Sequence, residues 1–332
     1  MTTRMPPEWD EHAATWMAFP VAAYPSAGVS DDEVFQAWSN VANLIVDHEP
    51  LHMLCRPEQK RIAARLLSEA VTLHDSSHND AWLRDSGPTF IERNGHLCAV
   101  DWRFNGWGDH TTFDWQADHA VAAHIAQLVG AQISSSELVN EGGGIHVNGQ
   151  GEVLLTDTVQ LDPDRNPQWH RDQVENEIHQ QLGTKRALWL PRGLFRDYQE
   201  HGTRGHVDIV ACFCPDGRVL LHRQTDDSHP DAKLYDTLRV QFDGWGFPVV
   251  EVSAPQTLRD NRDWVDYSYI NHYVLNGAVI LPVFKDHNDA KALECLTECY
   301  PGRTIRSVDA RVIFAMGGGV HCITQQQPNI EV

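Results

Sequence analysis

Apolar residues recur along the chain with the spacing of amphipathic helices. The first such stretch follows Ser30 and Glu33, which have the arrangement of a capping box and precede an apolar stripe that includes Val34, Trp38 and Val41. The pattern predicts a helix that begins just after Ser30.

Five further apolar stripes predict helices at nearly regular intervals. They begin near Pro57, Ala117, Asp172, Asp231 and Asp289. Successive starts lie 55 to 60 residues apart. Gly130 and Gly183 follow two of the stripes, where a helix C-terminus favours a left-handed residue. The intervals indicate a repeated structural unit.

Short strand-like runs closed by tight turns lie between the predicted helices. Examples are IHVNGQGEVLLT, IVACFCPDGRVLLH and YVLNGAVILPV, in which NG, GQG and DG supply the positive φ angles of hairpin turns. The repeated unit is therefore predicted to contain a hairpin, a helix and another strand.

About five such units cannot each bury a sheet and a helix alone, so we expect them to pack around a common axis. Residues 1–332 are thus predicted to form a single α/β domain, a closed five-bladed α/β propeller with pseudo-fivefold internal repeats. A doubly wound sheet is the alternative, but the glycine clusters do not match the G-x-G-x-x-G turn of that fold.

The charge balance narrows the range of partners. The 332 residues include 46 acidic and 26 basic side chains, which gives a formal net charge of −20. No nucleic-acid partner is expected, because binding to a phosphate backbone depends on Lys and Arg. A cleft lined by carboxylates favours cationic ligands instead, although solubility alone also accounts for an acidic surface.

The N-terminal residues lack the apolar core of a signal peptide, and no apolar run approaches the roughly 18 residues of a membrane helix. The seven cysteines are an odd set without the spacing of a disulfide framework, which is typical of a reducing compartment. We therefore expect a cytoplasmic protein without a membrane partner. The cysteine spacing also lacks C-x-x-C pairs, so no metal is expected.

A polar segment accompanies each repeat. The five segments are NDAWLRDSGP (79–88), NEGGGIH (140–146), GHVD (205–208), SYIN (268–271) and GGGVHC (317–322). Equivalent positions in a closed ring converge on its axis, so the segments are predicted to form one site. The glycine runs allow close approach of a neighbouring segment or a ligand, although plain turns would also use them.

Two of these segments carry candidates for covalent catalysis. Cys322 follows a glycine run and is the candidate nucleophile, with an inert buried thiol as the alternative. His206 and Asp208 are two residues apart, so on an extended strand both would point to one face. His206 is the candidate general acid and base, and Asp208 is a candidate carboxylate for a cationic ligand.

The other segments supply candidates for binding and orientation. Asp85 lies near Trp82, and a carboxylate with an aromatic ring can receive a planar delocalised cation; otherwise Asp85 would cap the following turn. Glu141 is the candidate that orients the imidazole of His206, as the third member of a catalytic triad does. Asn271 is a further candidate for substrate binding.

Two carboxylates that face one cation suggest a guanidinium, whose N–H donors match bidentate acceptors. A thiolate at Cys322 would attack its central carbon, His206 would protonate the departing nitrogen, and water would then hydrolyse the covalent intermediate to a ureido product. A Cys/His amidase is an alternative class, but it leaves Asp85 and Asp208 unexplained. A non-enzymatic binding protein is another, and it would not need the thiol, the imidazole and two acids together.

Longer motifs extend over nearly the whole chain. They include MPPEW, NDAWLRDSGPTF, VDWRFNGWG, EGGGIHVNGQGEVLLTDTVQL, GTRGHVDIVACF, DYSYINHYVLNGAVI and GGGVHCITQQQP. Together they resemble the agmatine deiminase family of the guanidine-modifying pentein superfamily, whose members are five-bladed α/β propellers. The resemblance implies hydrolysis of agmatine to N-carbamoylputrescine and ammonia in polyamine synthesis from arginine, without a cofactor and in a homo-oligomer, a dimer or larger.

The resemblance also implies roles for individual residues. These are Cys322 as nucleophile, His206 as acid and base, Asp85 and Asp208 as guanidinium carboxylates, Glu141 as partner of the histidine, and Trp82 in the substrate pocket. The chain departs from the family at Gly202, where many members carry an acidic residue, and at Gly319, where they carry Asn. Because the first position would contact the far amine, Glu200 or another carboxylate would replace it. Arginine, a methylated arginine or a peptidyl arginine is the alternative substrate.

Overall fold

Five β-sheets of three or four strands organise the protein, with helices in the connections between strands. The computed structural model describes residues 2–108 and 114–332. Within these ranges, no helix has both the length and the apolar composition needed to cross a membrane.

The structure bounds the elements as follows. The strands are β1 (Thr3–Arg4), β2 (His12–Ala18), β3 (Leu51–Cys55), β4 (Thr72–Asp75), β5 (Thr89–Arg93), β6 (His96–Arg103), β7 (Gln132–Val139), β8 (His146–Val147), β9 (Glu152–Thr156), β10 (Arg186–Leu190), β11 (Ala211–Phe213), β12 (Val219–Arg223), β13 (Val249–Ser253), β14 (Tyr273–Leu275), β15 (Ala278–Val283), β16 (Thr304–Asp309) and β17 (Gln325–Pro328). The α-helices are α1 (Asp31–Ile45), α2 (Lys60–Leu66), α3 (Leu83–Ser86), α4 (Val121–Val129), α5 (Asp157–Gln160), α6 (Arg171–Leu182), α7 (Leu234–Trp245), α8 (Asp289–Cys299) and α9 (Arg311–Ala315).

Four of the sheets are built from consecutive stretches of chain in the same way. Two strands form an antiparallel hairpin, a helix follows, and a last strand pairs in parallel with the second hairpin strand. The four sets are β5–β6–α4–β7, β8–β9–α6–β10, β11–β12–α7–β13 and β14–β15–α8–β16. The predicted unit of hairpin, helix and strand is therefore confirmed.

The fifth sheet joins the two ends of the chain. β17 pairs antiparallel with β2, and β3 pairs in parallel with β2 after the connecting helix α1. α1 thus corresponds to the helices of the other sheets, whereas α2 and β4 are an addition to this sheet. The helix predicted near Pro57 exists as α2, but its use as a repeat marker was wrong because it belongs to the addition.

Local chemistry fixes the predicted helix ends. Ser30 caps α1, where its side chain accepts a hydrogen bond from the Glu33 N–H and the Glu33 carboxylate accepts one from the Ser30 N–H. Gly130 and Gly183 end α4 and α6 with left-handed φ angles of 73° and 71°. These capping predictions are confirmed.

The five polar segments occupy equivalent places in the fold. Each forms a tight turn directly before the first hairpin strand of a sheet. α3 precedes β5, the 3₁₀ turns Gly142–Gly144 and Val207–Ile209 precede β8 and β11, and the last two segments precede β14 and β17. The repeat therefore brings the segments to corresponding ends of the five sheets.

The GHVD segment is not the extended strand that its H-x-D spacing predicted. Gly205 has a φ of 119°, and the 3₁₀ turn Val207–Ile209 follows His206. The Asp197 carboxylate holds this bend, because it accepts hydrogen bonds from the N–H groups of Gly205 and His206 at 2.6 and 3.0 Å. The bend corrects the local geometry, and both His206 and Asp208 are nevertheless buried.

The buried apolar residues form three clusters, and one of them links several sheets. Trp38 and Val41 of α1 belong to the same buried cluster as Trp16 of β2 and Ile280 of β15, so the core spans neighbouring sheets. Cys322 belongs to this cluster as well. Packing therefore constrains the turn that carries the candidate nucleophile.

We expect Gly183→Ala to lower thermal stability more than the matched substitution Gly246→Ala. Both glycines end helices with left-handed φ angles, 71° and 88°, so each substitution carries a backbone cost of about 1 kcal/mol. A Cβ at Gly183 would also overlap the carbonyl oxygen of Thr3, whereas nothing lies within 4 Å of a Cβ at Gly246. Equal losses in Tm would contradict the close contact between β1 and the end of α6.

Candidate active site

Cys322 lies on the wall of a small cavity. Trp82, Asp85, Trp107 and His201 also line this cavity. Cys322 is only 5% exposed, so a ligand must enter the cavity to contact its sulfur. Three predicted site residues, Cys322, Trp82 and Asp85, thus line one cavity.

Burial and negative neighbours set the protonation state of Cys322. Loss of solvent raises the pKa of its thiol well above the ordinary value, and the nearby carboxylates Asp208 and Asp85 raise it further. The Sγ atom lies 3.5 Å from Asp208 Oδ2 and 3.3 Å from the Asn271 side-chain nitrogen, which donates to it. The unliganded site therefore holds a thiol, and a cation beside it would favour the thiolate.

His206 lies between two carboxylates. Its Nε2 is 3.1 Å from Glu141 Oε2, and its Nδ1 is 3.8 Å from Asp85 Oδ1. Nδ1 has no hydrogen-bond partner among the residues that the structure describes. Burial alone lowers the pKa of His206, but the charges of Asp85 and Glu141 outweigh it and raise the pKa to about 9. The site therefore presents an imidazolium whose Nδ1–H is available to a ligand.

Glu141 is held on its other side by Arg165. The guanidinium Nε donates to the two Glu141 oxygens at 2.9 and 3.2 Å, and Nη1 donates to Asp162 at 2.9 Å. Burial raises the pKa of Glu141, but Arg165 and His206 outweigh this effect and lower the pKa to about 2. Glu141 is thus a buried anion that lies in hydrogen-bond contact with the His206 imidazole.

Asp85 is positioned by donors from two other parts of the chain. The Gly143 N–H donates to Oδ1 at 3.0 Å, and the Trp107 indole N–H donates to Oδ2 at 2.9 Å. A Cβ at Gly143 would overlap His206 Nδ1, so the EGGG sequence permits a close approach that a side chain would block. Burial raises the pKa of Asp85 despite the nearby His206. A bound cation would stabilise the ionised form of Asp85 and lower this pKa.

The two carboxylate oxygens of Asp208 differ in their hydrogen bonding. Oδ2 is 2.9 Å from His321 Nδ1, whereas Oδ1 has no hydrogen-bond partner within the described ranges. Burial raises the pKa of Asp208, but the hydrogen bond and charge of His321 outweigh it and the pKa is lowered. Asp208 is therefore a buried anion with an acceptor oxygen left for a ligand.

Trp82 lines the cavity, and Asn271 lies beside the Cys322 sulfur. The Asn271 side-chain oxygen accepts a hydrogen bond from the His321 N–H at 2.9 Å, which directs its nitrogen to the Cys322 sulfur. A Cβ at Gly319 would overlap that Asn271 oxygen, and one at Gly318 would lie 2.6 Å from the Trp82 ring. The second glycine run therefore allows both side chains to pack against the backbone beside the nucleophile.

All seven predicted site residues thus come together, and the sequence missed several of their partners. Each of four further residues holds a predicted site residue through a contact outside the short motif that carries it; they are Arg165, Trp107, Asp197 and His321. Glu8, the acid of the MPPEW motif, contacts His321 at 2.7 Å. The motif was a signal for Glu8, but no local pattern indicated which residue it contacts.

Two other polar residues of the NDAWLRDSGP segment do not line the cavity. Arg84 donates to the side chains of Gln325 and Gln326 in β17. The Tyr24 hydroxyl donates a hydrogen bond to the Asp80 carboxylate. The seven cysteines are all free thiols. Among the described residues, no group of three or more His, Cys, Asp or Glu side chains could hold a metal ion.

Solved structures define the class of protein. The solved structure of an agmatine deiminase of Enterococcus faecalis matches with a TM-score of 0.91 and 30% sequence identity. The match covers 98% of this chain and 96% of that chain. The protein therefore has the mixed α/β fold of the pentein-superfamily agmatine deiminases.

Sequence relatives then define the family. A family model described as Porphyromonas-type peptidyl-arginine deiminase matches residues 4–328. A Streptomyces coelicolor protein named "Putative agmatine deiminase" is 51% identical over 99% of each chain. A Streptomyces avermitilis protein of the same name is 48% identical over 98% of this chain and 97% of its own. The chain belongs to the Porphyromonas-type peptidyl-arginine deiminase family, and the resemblance inferred from its motifs is confirmed.

We expect Cys322 to remain a thiol in the unliganded protein from neutral pH up to pH 9, because burial and two carboxylates raise its pKa above that value. The ultraviolet absorbance of thiolate, recorded for the wild type minus Cys322→Ser, measures this group alone. The difference spectrum should show no titration in that range. A titration step below pH 8 would contradict the electrostatic description of the site.

Proposed function

We propose that the protein is a hydrolytic deiminase that converts agmatine and water to N-carbamoylputrescine and ammonia, in polyamine synthesis from arginine. The single observation that carries the proposal is the close arrangement of the Cys322 thiol, the His206 imidazolium and the carboxylates of Asp85 and Asp208 beside the cavity that Cys322 and Asp85 line. The names of its relatives support the choice of agmatine.

Guanidinium binding rests on the two carboxylates that flank the sulfur. Asp208 offers an unoccupied oxygen, and Asp85 is a buried carboxylate whose pKa is raised in the absence of a cation. A planar guanidinium can donate to both, and its carbon then lies against Cys322. The Trp82 ring supplies an apolar wall. The positive charge of the substrate lowers the free energy of the thiolate, so the nucleophile forms when the substrate binds.

The first chemical step forms a C–S bond and breaks a C–N bond. The thiol proton leaves to solvent, and the Cys322 thiolate attacks the guanidinium carbon to give a tetrahedral adduct. His206 donates its Nδ1 proton to a departing amino group, which leaves as ammonia. An amidino-thioether cation remains on Cys322, and it is stabilised by the same two carboxylates.

The second step restores the thiol. Neutral His206, oriented by Glu141, takes a proton from water as the water oxygen attacks the amidino carbon. The C–S bond breaks, the hydroxyl proton leaves as the ureido carbonyl forms, and the Cys322 thiolate takes up a proton from solvent. His206 is again an imidazolium, so the site is ready for another substrate.

The cavity wall favours agmatine over arginine. The residues that line it include Tyr24, Trp82, Trp107 and His201 and, within the described part of the chain, neither Lys nor Arg. The α-carboxylate of arginine would therefore have no cationic side chain to pair with in this cavity. It would also be repelled by the carboxylates of Asp85, Glu141 and Asp208. Agmatine lacks that group. Gly202 cannot supply an acid for the far amine, and a Cβ there would overlap the Asp197 carbonyl oxygen.

We further propose that residues 1–332 form one domain and that the five sheets close into a propeller. Pairing of β17 with β2 supports closure, because it joins the two chain ends within one sheet. Contacts between α3 and the turn Gly142–Gly144, and between that turn and Val207–Ile209, support radial convergence of successive blades.

We expect Cys322→Ser to lower ammonia release from agmatine by at least roughly 1,000-fold, because the alcohol is a far weaker nucleophile. Cys295→Ser, a matched change on α8 outside the cavity, should keep wild-type activity. Ammonia and the ureido product are measured together. Wild-type rates in Cys322→Ser would overturn the covalent mechanism.

We expect kcat/KM for agmatine to exceed that for arginine, a methylated arginine and an arginyl peptide by at least roughly tenfold, since the arginine compounds carry groups that the acidic cavity does not match. The measurement is a substrate panel under one set of conditions. Equal or better turnover of arginine would reject agmatine while keeping the reaction class.

We expect kcat/KM to fall as pH rises through about 9, where His206 loses the proton that the leaving nitrogen needs. Glu141→Gln removes a negative charge that raises this pKa, so the alkaline limb should move to lower pH by about one unit or more. Glu137→Gln, on exposed β7, is the matched control and should leave the limb in place. An unshifted limb in Glu141→Gln would contradict the role of His206 as the acid.

A further inference from the structure

We propose that Glu8 and His321 form a positioning pair that holds the Asp208 carboxylate in the orientation used to bind guanidinium. This inference rests on the proposed function and assigns a role to two residues that do not line the substrate cavity.

The geometry of the pair is linear and buried. His321 Nδ1 is 2.9 Å from Asp208 Oδ2, and His321 Nε2 is 2.7 Å from Glu8 Oε1. Glu8 and His321 are 6% and 3% exposed, so water does not compete for these contacts. One ring therefore connects a carboxylate of the N-terminal segment to a carboxylate of the site.

The two contacts fix the charge of the ring. An ionised carboxylate only accepts hydrogen bonds, so each ring nitrogen that faces one must carry a hydrogen. His321 is then an imidazolium between two anions. Consistently, Glu8 and Asp208 raise the pKa of His321, although burial and Arg84 act in the opposite direction.

Glu8 is itself anchored by cationic or potentially cationic groups. Arg84 Nη1 lies 3.7 Å from one of its oxygens, and His146 Nε2 lies 3.9 Å from the other. Burial lowers the pKa of His146 to about 4, so it is neutral and Arg84 supplies the charge. A buried carboxylate without such partners would be costly, so this arrangement keeps Glu8 ionised and able to hold His321.

The consequence for Asp208 follows from its two oxygens. The imidazolium occupies Oδ2 and leaves Oδ1 as an acceptor without a partner in the described part of the chain. A small cavity lies beside the pair, lined in part by His146, Cys212 and His272. Without the His321 ring, Asp208 would lose its hydrogen bond and gain room to rotate away from the substrate.

A purely structural ion pair would predict a different result. It would contribute to folding, but the folded fraction of a variant would bind substrate as the wild type does. A positioning pair instead predicts weaker agmatine binding in a folded protein. Glu8 is the decisive residue, because its carboxylate contacts His321 and Arg84 but none of the residues proposed to bind substrate, whereas the His321 backbone N–H also contacts Asn271.

Agmatine affinity is therefore measured calorimetrically on the inactive Cys322→Ser background, with Tm recorded for every variant. We expect His321→Ala to raise Kd by about tenfold and Glu8→Ala to raise it several-fold, as loss of a buried charged hydrogen bond does. Glu8→Gln keeps an acceptor oxygen and should recover most of the affinity. His229→Ala, a buried histidine with backbone partners elsewhere, should lower Tm without changing Kd.

An unchanged Kd in folded Glu8→Ala would overturn the pair, and this variant decides the question if His321→Ala does not fold. Equal Kd values for Glu8→Ala and Glu8→Gln, both raised, would overturn the hydrogen-bond role assigned to Glu8. Failure of the proposed function is distinguishable, because it would appear as absent ammonia release by the wild type while agmatine still binds Cys322→Ser.

Discussion

The burial of three carboxylates beside one imidazole is the constraint on which the site depends. Asp85, Glu141 and Asp208 are each at most 5% exposed, and His206 lies between the first two. Arg165 and His321 are further cationic partners of Glu141 and Asp208, whereas Asp85 has none besides His206 among the residues that the structure describes. Because the pKa of Asp85 is raised and Asp208 Oδ1 has no hydrogen-bond partner among the same residues, the unliganded site is electrostatically incomplete. A guanidinium completes it, and the same cation favours the Cys322 thiolate.

The fold supplies this constraint through repetition. Each sheet begins with a turn, and the five turns contribute one segment each to the same small volume. Glycines at these turns replace side chains with backbone where the segments meet, as Gly143 does against His206 and Gly319 does against Asn271. Rigid sheets behind the turns limit movement, so the charged groups cannot separate to relieve their repulsion. Binding of a cationic substrate therefore relieves the repulsion between these carboxylates.

Much of this arrangement could be predicted from the sequence because it is encoded locally. Helix stripes, hairpin turns and polar segments each lie within short windows, and their recurrence indicated that Cys322 and His206 would meet. Long-range partners could not be predicted in this way. Glu8 and His321 are 313 residues apart, and only the closure of the chain brings them into contact. The H-x-D spacing misled because the Asp197 side chain, outside that short motif, bends the backbone at Gly205 and His206.

The most direct test of the account is mass spectrometry of the protein quenched with acid during turnover of agmatine. The account predicts that the peptide containing Cys322 gains the mass of agmatine less ammonia, and that this adduct disappears as the substrate is consumed. Unmodified Cys322 at every quench time, while the wild type releases ammonia, would contradict the account, as would the same adduct on another residue.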